Sequence, residues 1–288
     1  MTSSVGRPFQ GRLLVILLLL CATPAMAADT YALIVSGASG GAPYAEKYDG
    51  WRNGLVATLK TTFGYRVDHV VSLSEASRDH VQQALRDLRG RMTADDVLCV
   101  VLIGHGTDEK FNLRGPDMMA ADWAAQLKPM PGRAVFVDTT SSSFPFLRQL
   151  SAPGRVVITA TDSAAQQFET VFPEYFITAF TDPAADGDKD GRVSILEAFR
   201  YASAAVRTWF DQHNQLPTER AVLEEEAVAR ATFLQPRAGA ASDPIAKRQA
   251  DLENAIAALK ARRSSMPASA YDAERERLLT ELARLMVR

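Results

Sequence analysis

An α/β fold with a mostly parallel sheet is the expectation for this chain, and three observations carry it. Apolar runs at 97–103 (VLCVVLI), 133–137 (RAVFV) and 155–160 (RVVITA) are short, continuous and end abruptly in polar residues. Runs of this kind fit strands buried on both faces, as in a parallel sheet. Strand-like and helix-like segments alternate along the chain, as in successive βαβ units. Finally, the polar residues with the most chemical potential follow the strands directly, where open α/β sheets place their ligand crevice.

In chain order, 31–35 reads as the first strand and runs into SGASGG at 36–41. A glycine-rich turn after a strand invites a dinucleotide reading, but Pro43 and Tyr44 follow where a third, phosphate-facing glycine is needed. A helix is expected over 45–63, with Trp51, Leu55 and Leu59 on one buried face. The second strand is expected over 66–73, with His69 a structural or surface histidine. Ser77 caps a helix to about residue 88 that buries Val81, Leu85 and Leu88. The run at 97–103 ends in Gly104-His105-Gly106 and a polar loop at 107–113. A crossover helix follows over 118–127, with Asp117 as its expected cap and Pro129, Pro131 and Gly132 closing it. Strand 133–137 leads into Asp138-Thr139-Thr140-Ser141-Ser142-Ser143 and a short helix over 144–150. After strand 155–160 comes a polar loop in which Asp162 and Glu169 are candidates for selecting a basic or amide-bearing group, against the plainer reading of solvated acids.

Residues 186–197 (DGDKDGRVSILE) meet each requirement of a twelve-position EF-hand calcium loop. Asp186, Asp188 and Asp190 supply carboxylates at positions 1, 3 and 5, Gly191 makes the sharp turn at 6, and Arg192 offers its carbonyl at 7. Ser194 acts through water at 9, and Glu197 closes the site at 12. Pro183 lies where a full entering helix would run, so a single Ca²⁺ loop built into the domain is expected. The exiting helix, 194–213, carries an apolar stripe of Ile195, Phe199, Ala202, Val206 and Phe210 and leaves His213 exposed. A Pro-, Gly- and Ala-rich linker is expected at 233–244. Charged amphipathic helices at 245–262 and 270–287 then suit a helical hairpin, with Leu252, Ile256 and Leu259 facing Leu278, Leu282 and Leu285. Such a tail packs on the domain, on another copy as a homo-oligomer, or on a partner.

The first 27 residues, with Arg7, Arg12, an apolar core at 13–20 and Ala25-Met26-Ala27, read as a secretory signal peptide. Its apolar run is too short to span a bilayer comfortably, so no stable membrane span is expected after cleavage, and the mature chain is expected to be periplasmic or secreted. Lipoprotein processing at Cys21 is disfavoured by Leu20 before it. Cleavage leaves Cys99 as the one cysteine, inside a strand, where it is expected to act as a small hydrophobe. A net charge of −2 gives no footprint for nucleic acid.

The order of strands and motifs over about 30–226 resembles the caspase-like cysteine peptidases, most closely the legumain-type branch. In that family one strand ends in His-Gly carrying the catalytic histidine, matched by His105-Gly106. The next ends in Asp/Glu-x-Cys-x-Ser-Gly carrying the nucleophile, where this chain has Thr140 at the cysteine position and Ser143 at the final glycine. The resemblance implies a three-layer αβα domain over 28–232 with an oxyanion site from the Gly106 and Thr140 N–H groups. A threonine hydroxyl is far less acidic than a thiol and needs a closely coupled base, so loss of peptidase activity is the favoured expectation. The chain then reads as an exported pseudopeptidase that binds calcium and a peptide or protein partner. The alternatives are a hydrolase using Thr140, Ser141 or Ser142 with His105, and a scaffold acting through its C-terminal helices.

Overall fold

The computed structural model describes residues 28–107, 109–236 and 262–286, together with 248, 252, 255, 256, 259 and 260. The expected signal peptide, linker residues 237–244 and most of the first tail helix lie outside the described residues.

Six strands form the main sheet: β1 (Thr30–Ser36), β2 (Val70–Leu73), β3 (Val97–Ile103), β7 (Arg133–Asp138), β8 (Arg155–Thr159) and β9 (Val222–Glu224). They lie in the order β2-β1-β3-β7-β8-β9, and every neighbouring pair is parallel except β8 with β9. All seven residues of β3 are buried, as expected of a central strand covered on both faces. Alternation divides its side chains: Cys99, Val101 and Ile103 enter one core, Leu98, Val100 and Leu102 the other.

The first core is closed by α1 (Ala42–Ala57), α5 (Phe172–Thr178) and α6 (Ile195–Gln212), through Leu55, Phe172, Phe176, Ala202 and Val206. The second is closed by α2 (Arg78–Arg91), α3 (Ala120–Leu127) and α4 (Phe144–Leu150), through Val81, Leu85, Trp123 and Phe146. Helices thus cover both faces of a mostly parallel sheet, an arrangement compatible with three αβα layers. Each fully buried Leu, Ile or Phe contributes roughly 1.5–3 kcal/mol.

Several elements depart from expectation. Helix α1 starts at Ala42 and ends at Ala57 in a π-helical turn over Thr58–Thr62, and β2 is shortened by a 3-10 turn at Val67–His69. His69 is buried and stacks on Tyr31 at 4.2 Å between ring centroids. Asp117 does not cap α3: it accepts a hydrogen bond from the Leu113 N–H at 3.0 Å, while Asp122 takes the Met119 N–H at 2.9 Å and starts the helix at Ala120. The polar loop after His105 is folded as well, because β4 (Gly106–Thr107), β5 (Lys110–Phe111) and β6 (Met118–Met119) form a small antiparallel sheet. Strand β9, helix α5 and the short helix α7 (Glu226–Arg230) were not foreseen.

The start of the expected linker belongs to the domain: Leu234 is buried, its carbonyl accepts from the Tyr65 hydroxyl at 2.8 Å, and Phe233 bridges to Ser194. In the tail, α8 (Ala268–Met286) begins two residues before its expected start. Tyr271 and Leu278 of α8 share an apolar cluster with Leu252 and Leu259, and Arg248 pairs with Glu281. No helix among the described residues is long and apolar enough to cross a membrane.

Candidate functional site

Strand β1 leads through α1 to β2 on one side, and the chain then returns across β1 to β3 on the other. The loops following β1 and β3 therefore separate at a topological switch point, where open sheets form crevices. Gly104, at φ 146°, turns the chain at the end of β3 and presents His105 there, half-buried. The imidazole is held on two sides. Its Nε2 lies 3.1 Å from the Tyr48 hydroxyl and 3.2 Å from the Ser39 carbonyl oxygen, and Tyr44 meets the ring edge-on at 4.9 Å. Burial, with smaller contributions from Glu169 and Tyr44, holds the Tyr48 phenol well above its ordinary pKa.

Beside β3, strand β7 ends in the 138–143 turn, whose side chains are all buried. The Thr140 hydroxyl donates to Asp138 Oδ1 at 2.7 Å, and the Thr140 N–H donates to the same oxygen at 3.0 Å. The Ser141 hydroxyl donates to the Gly106 carbonyl at 3.1 Å and that of Ser142 to the Gln166 carbonyl at 2.9 Å. Among the described residues no hydrogen bond joins His105 to this turn. Gly106 and Thr140 are nonetheless in direct contact: a Cβ on Gly106 would lie 2.5 Å from the Thr140 hydroxyl and 2.4 Å from the Ser141 carbonyl oxygen. The structure therefore brings Gly106 and Thr140 together, while the hydroxyl and N–H of Thr140 are committed to Asp138.

Asp138 is fully buried and its Oδ2 has no partner. Burial pushes its carboxyl up to about 7, against the two Thr140 hydrogen bonds that favour the charged form. Ser143, which the resemblance to caspase-like peptidases would align with a glycine, has an ordinary φ of −74°; the left-handed residue is Ser142, at φ 52°. Cys99 is buried in β3 with its thiol pushed up to about 12 by burial, so it offers no reactive thiolate.

Asp162 and Glu169 lie on the loop after β8 and both have counter-ions. Glu169 pairs with Lys47 of α1 at 2.9 Å, and Asp162 with Arg220 at 3.5 Å. The crevice also involves residues that sequence reasoning passed over. Tyr44 and Tyr48 continue the α1 stripe of Trp51 and Leu55 by helical spacing, a signal present in the chain. Gln166 and Glu219 carried no such signal, since loops bring them in.

The acidic loop lies between a 3-10 turn at Pro183–Ala185 and α6. One oxygen from each of Asp186, Asp188 and Asp190 lies within 4.8 Å of the others. That spacing suits oxygens about 2.3–2.6 Å from a shared cation. The loop is drawn into shape by its own amides: Gly191 N–H donates to Asp186 at 2.9 Å and Arg192 N–H to Asp190 at 2.8 Å. Glu197 is turned to the loop backbone and the cap, accepting from Gly187 N–H at 3.0 Å and from the Ser194 hydroxyl at 2.7 Å. Burial alone would raise the Glu197 carboxyl, but hydrogen bonds from Ser194, Asp188 and Gly187 together bring it below its ordinary value. Ser194 caps α6 through a reciprocal box with Glu197. Arg192 stacks on Phe233 at 3.7 Å, its backbone left in the loop. A cavity of about 870 Å³ opens beside this loop, lined by Asp188, Glu197, Tyr201 and Trp209 among others.

In comparison with known proteins, no family model matches the chain and no curated protein matches it.

Proposed function

We propose that this chain is an exported, caspase-like protein of the legumain type that has lost peptidase chemistry, holds calcium in the 186–197 loop and recognises a peptide or protein through the crevice around His105. One observation carries the loss of chemistry: the hydroxyls of Thr140, Ser141 and Ser142 are buried and donate to Asp138 or backbone carbonyls, not to His105. A hydroxyl nucleophile needs a base within hydrogen-bond reach and access to substrate: Ser141 and Ser142 donate only to carbonyls, the only base Thr140 reaches is the buried Asp138, and all three are closed off from substrate. The Thr140 N–H, half of the expected oxyanion site, is engaged by Asp138. What remains is a crevice whose exposed Tyr44 meets the His105 ring edge-on, suited to contact with apolar side chains of an extended chain.

The Asp186, Asp188 and Asp190 oxygens fit a hard cation preferring oxygen ligands, and calcium bound there would tie the end of the 3-10 turn to the start of α6. The tail adds a second reading. Its own apolar cluster of Leu252, Leu259, Tyr271 and Leu278 supports a helical hairpin able to pair with another copy.

Purified mature protein incubated with a peptide library and a fluorophosphonate probe tests the main reading. No cleavage and no adduct are expected, alongside retention of library peptides that His105→Ala weakens. Turnover abolished by His105→Ala would establish a hydrolase instead. Retention needing only 245–288 would favour the scaffold.

A further inference from the structure

The loop from β8 to α5 lies directly over the 138–143 turn, and its attachments run along its length. At its start, the Ser143 N–H donates to the Thr161 hydroxyl at 3.0 Å, and the Thr161 N–H donates back to the Ser143 hydroxyl at 3.1 Å. At its middle, the Gln166 carbonyl accepts both the N–H of Ser142 at 2.7 Å and its hydroxyl at 2.9 Å. These bonds hold Ser142 at φ 52°, a left-handed conformation that strains a non-glycine residue. Near its end, the Thr170 hydroxyl donates to the Thr139 carbonyl at 2.5 Å. Between these buried attachments the loop is exposed, with Phe168 68% accessible and no regular secondary structure. Such a segment can open without unfolding the sheet beneath it.

Where the loop enters α5, it is fixed by a residue far along the chain. Glu219, only 4% exposed, accepts the Val171 N–H through Oε2 at 2.8 Å, while its Oε1 is buried with no partner. We propose that 161–171 is a strap closed over the 138–143 turn and latched by Glu219, and that ionisation of this carboxyl releases the strap and uncovers the turn. The inference rests on the reading of the crevice as a recognition surface only for its purpose; the latch itself stands on the geometry.

The unpartnered oxygen sets the direction. A buried neutral carboxyl leaves Oε1 unsatisfied at modest cost, whereas a carboxylate there must spread its charge over an oxygen with no donor. Burial is the main influence raising the Glu219 carboxyl, to about 7. The charged groups facing it are Glu169 of the strap, which opposes ionisation, and Lys47 of α1, which favours it; the N–H groups of Val171 and Phe172 also favour it. The Tyr175 phenol of α5 faces it too, and Arg220, next along the chain, is paired with Asp162. Because the closed form binds the proton more tightly, closure is complete below the ordinary value of 4.5 and lost as pH rises to about 7.

Hydrogen exchange on the full chain, corrected for intrinsic rates, tests this. In peptides spanning 138–143 and 161–171, protection is expected to fall about tenfold or more between pH 5 and pH 7.5. In Glu219→Gln, which stays neutral, the fall in 161–171 should vanish and the strap should stay protected, while 138–143 keeps only the pH dependence that its own Asp138 gives it. Wild-type strap protection that ignores pH, a fall in 161–171 retained in Glu219→Gln, or an equal fall in β3 would each overturn the latch. Should Glu219→Gln not fold, Thr170→Val serves, with strap protection expected to be lower than wild type at pH 5 and to keep its pH dependence. Protection equal to wild type in Thr170→Val would overturn the strap. Loss of peptide binding with the exchange pattern intact would count against the crevice's function and leave the latch standing.

Discussion

The crevice around His105 and the acidic loop at 186–197 are both built from short polar runs next to buried strands or helices, yet they spend their polar groups in opposite ways. In the crevice, each hydroxyl of the 138–143 turn is buried and satisfied by a nearby acceptor, so the turn is a packed joint. In the loop, backbone amides donate to Asp186, Asp188 and Asp190, yet one oxygen of each still lies within 4.8 Å of the others. A polar cluster whose donors and acceptors are matched internally is structure; one that leaves like charges facing a shared point is suited to a ligand. The two regions should therefore respond differently to the same kinds of perturbation.

The largest difference should come from adding one methyl to a glycine in each region. In Gly106→Ala the new Cβ would lie 2.4 Å from the Ser141 carbonyl oxygen, a backbone atom that cannot swing away. Gly187→Ala places its Cβ 3.6 Å from Glu197 Oε1, an ordinary contact. Gly106→Ala should cost about 3 kcal/mol and Gly187→Ala under about 0.5 kcal/mol in urea denaturation. Equal costs would mean that the crevice is looser than its contacts indicate.

Calcium should act on one region alone and less strongly. On the proposed reading of an exported protein with a single calcium loop, a Kd of roughly 10⁻⁴ to 10⁻³ M is expected, so about 10 mM calcium should stabilise the protein by about 1 to 3 kcal/mol. Glu197→Gln should remove most of that gain, with no change at the crevice. Melting curves with and without calcium, compared with magnesium, check this; a gain untouched by Glu197→Gln would move the ion elsewhere.

The sheet was legible because its strands are continuous apolar runs, and α2 because Ser77 and the spacing of Val81, Leu85 and Leu88 agree. Asp117 misled because the same residue type caps helices and closes turns, and only the neighbouring Asp122 decided which role it took. Strand β9 has three half-buried residues, too few to carry a period. At the site, His105 and the 138–143 turn were visible as polar runs after strands. Their local commitments were not, because the acceptors that hold them come from distant segments. Gln166 lies 24 residues from Ser142 and Glu219 lies 48 from Val171, separations over which spacing carries no information.

The smallest effect concerns the Thr140 hydroxyl. Thr140→Val keeps the shape and the N–H to Asp138 but removes the 2.7 Å hydroxyl donor, which should cost about 1 kcal/mol at pH 5. Because burial raises the Asp138 carboxyl to about 7, its contribution to stability is complete below its ordinary value of 3.8 and lost as pH rises toward 7. The lost donor favoured the charged form, so removing it should raise that carboxyl further and deepen the penalty by about another 1 kcal/mol at pH 8. Glu197 runs the other way. Its carboxyl is lowered, so in chelator its contribution is present above its ordinary value of 4.5 and lost as pH falls through its lowered folded value. Urea midpoints across pH 3 to 8 should therefore show Thr140→Val diverging from wild type on the alkaline side and Glu197→Gln, separated from wild type at neutral pH, converging with it on the acid side, while Thr140→Ser keeps only the pH-independent cost of a lost buried methyl. A Thr140→Val penalty that stays constant with pH would mean that its hydroxyl does not serve the Asp138 charge, and the turn would have to be held by packing alone.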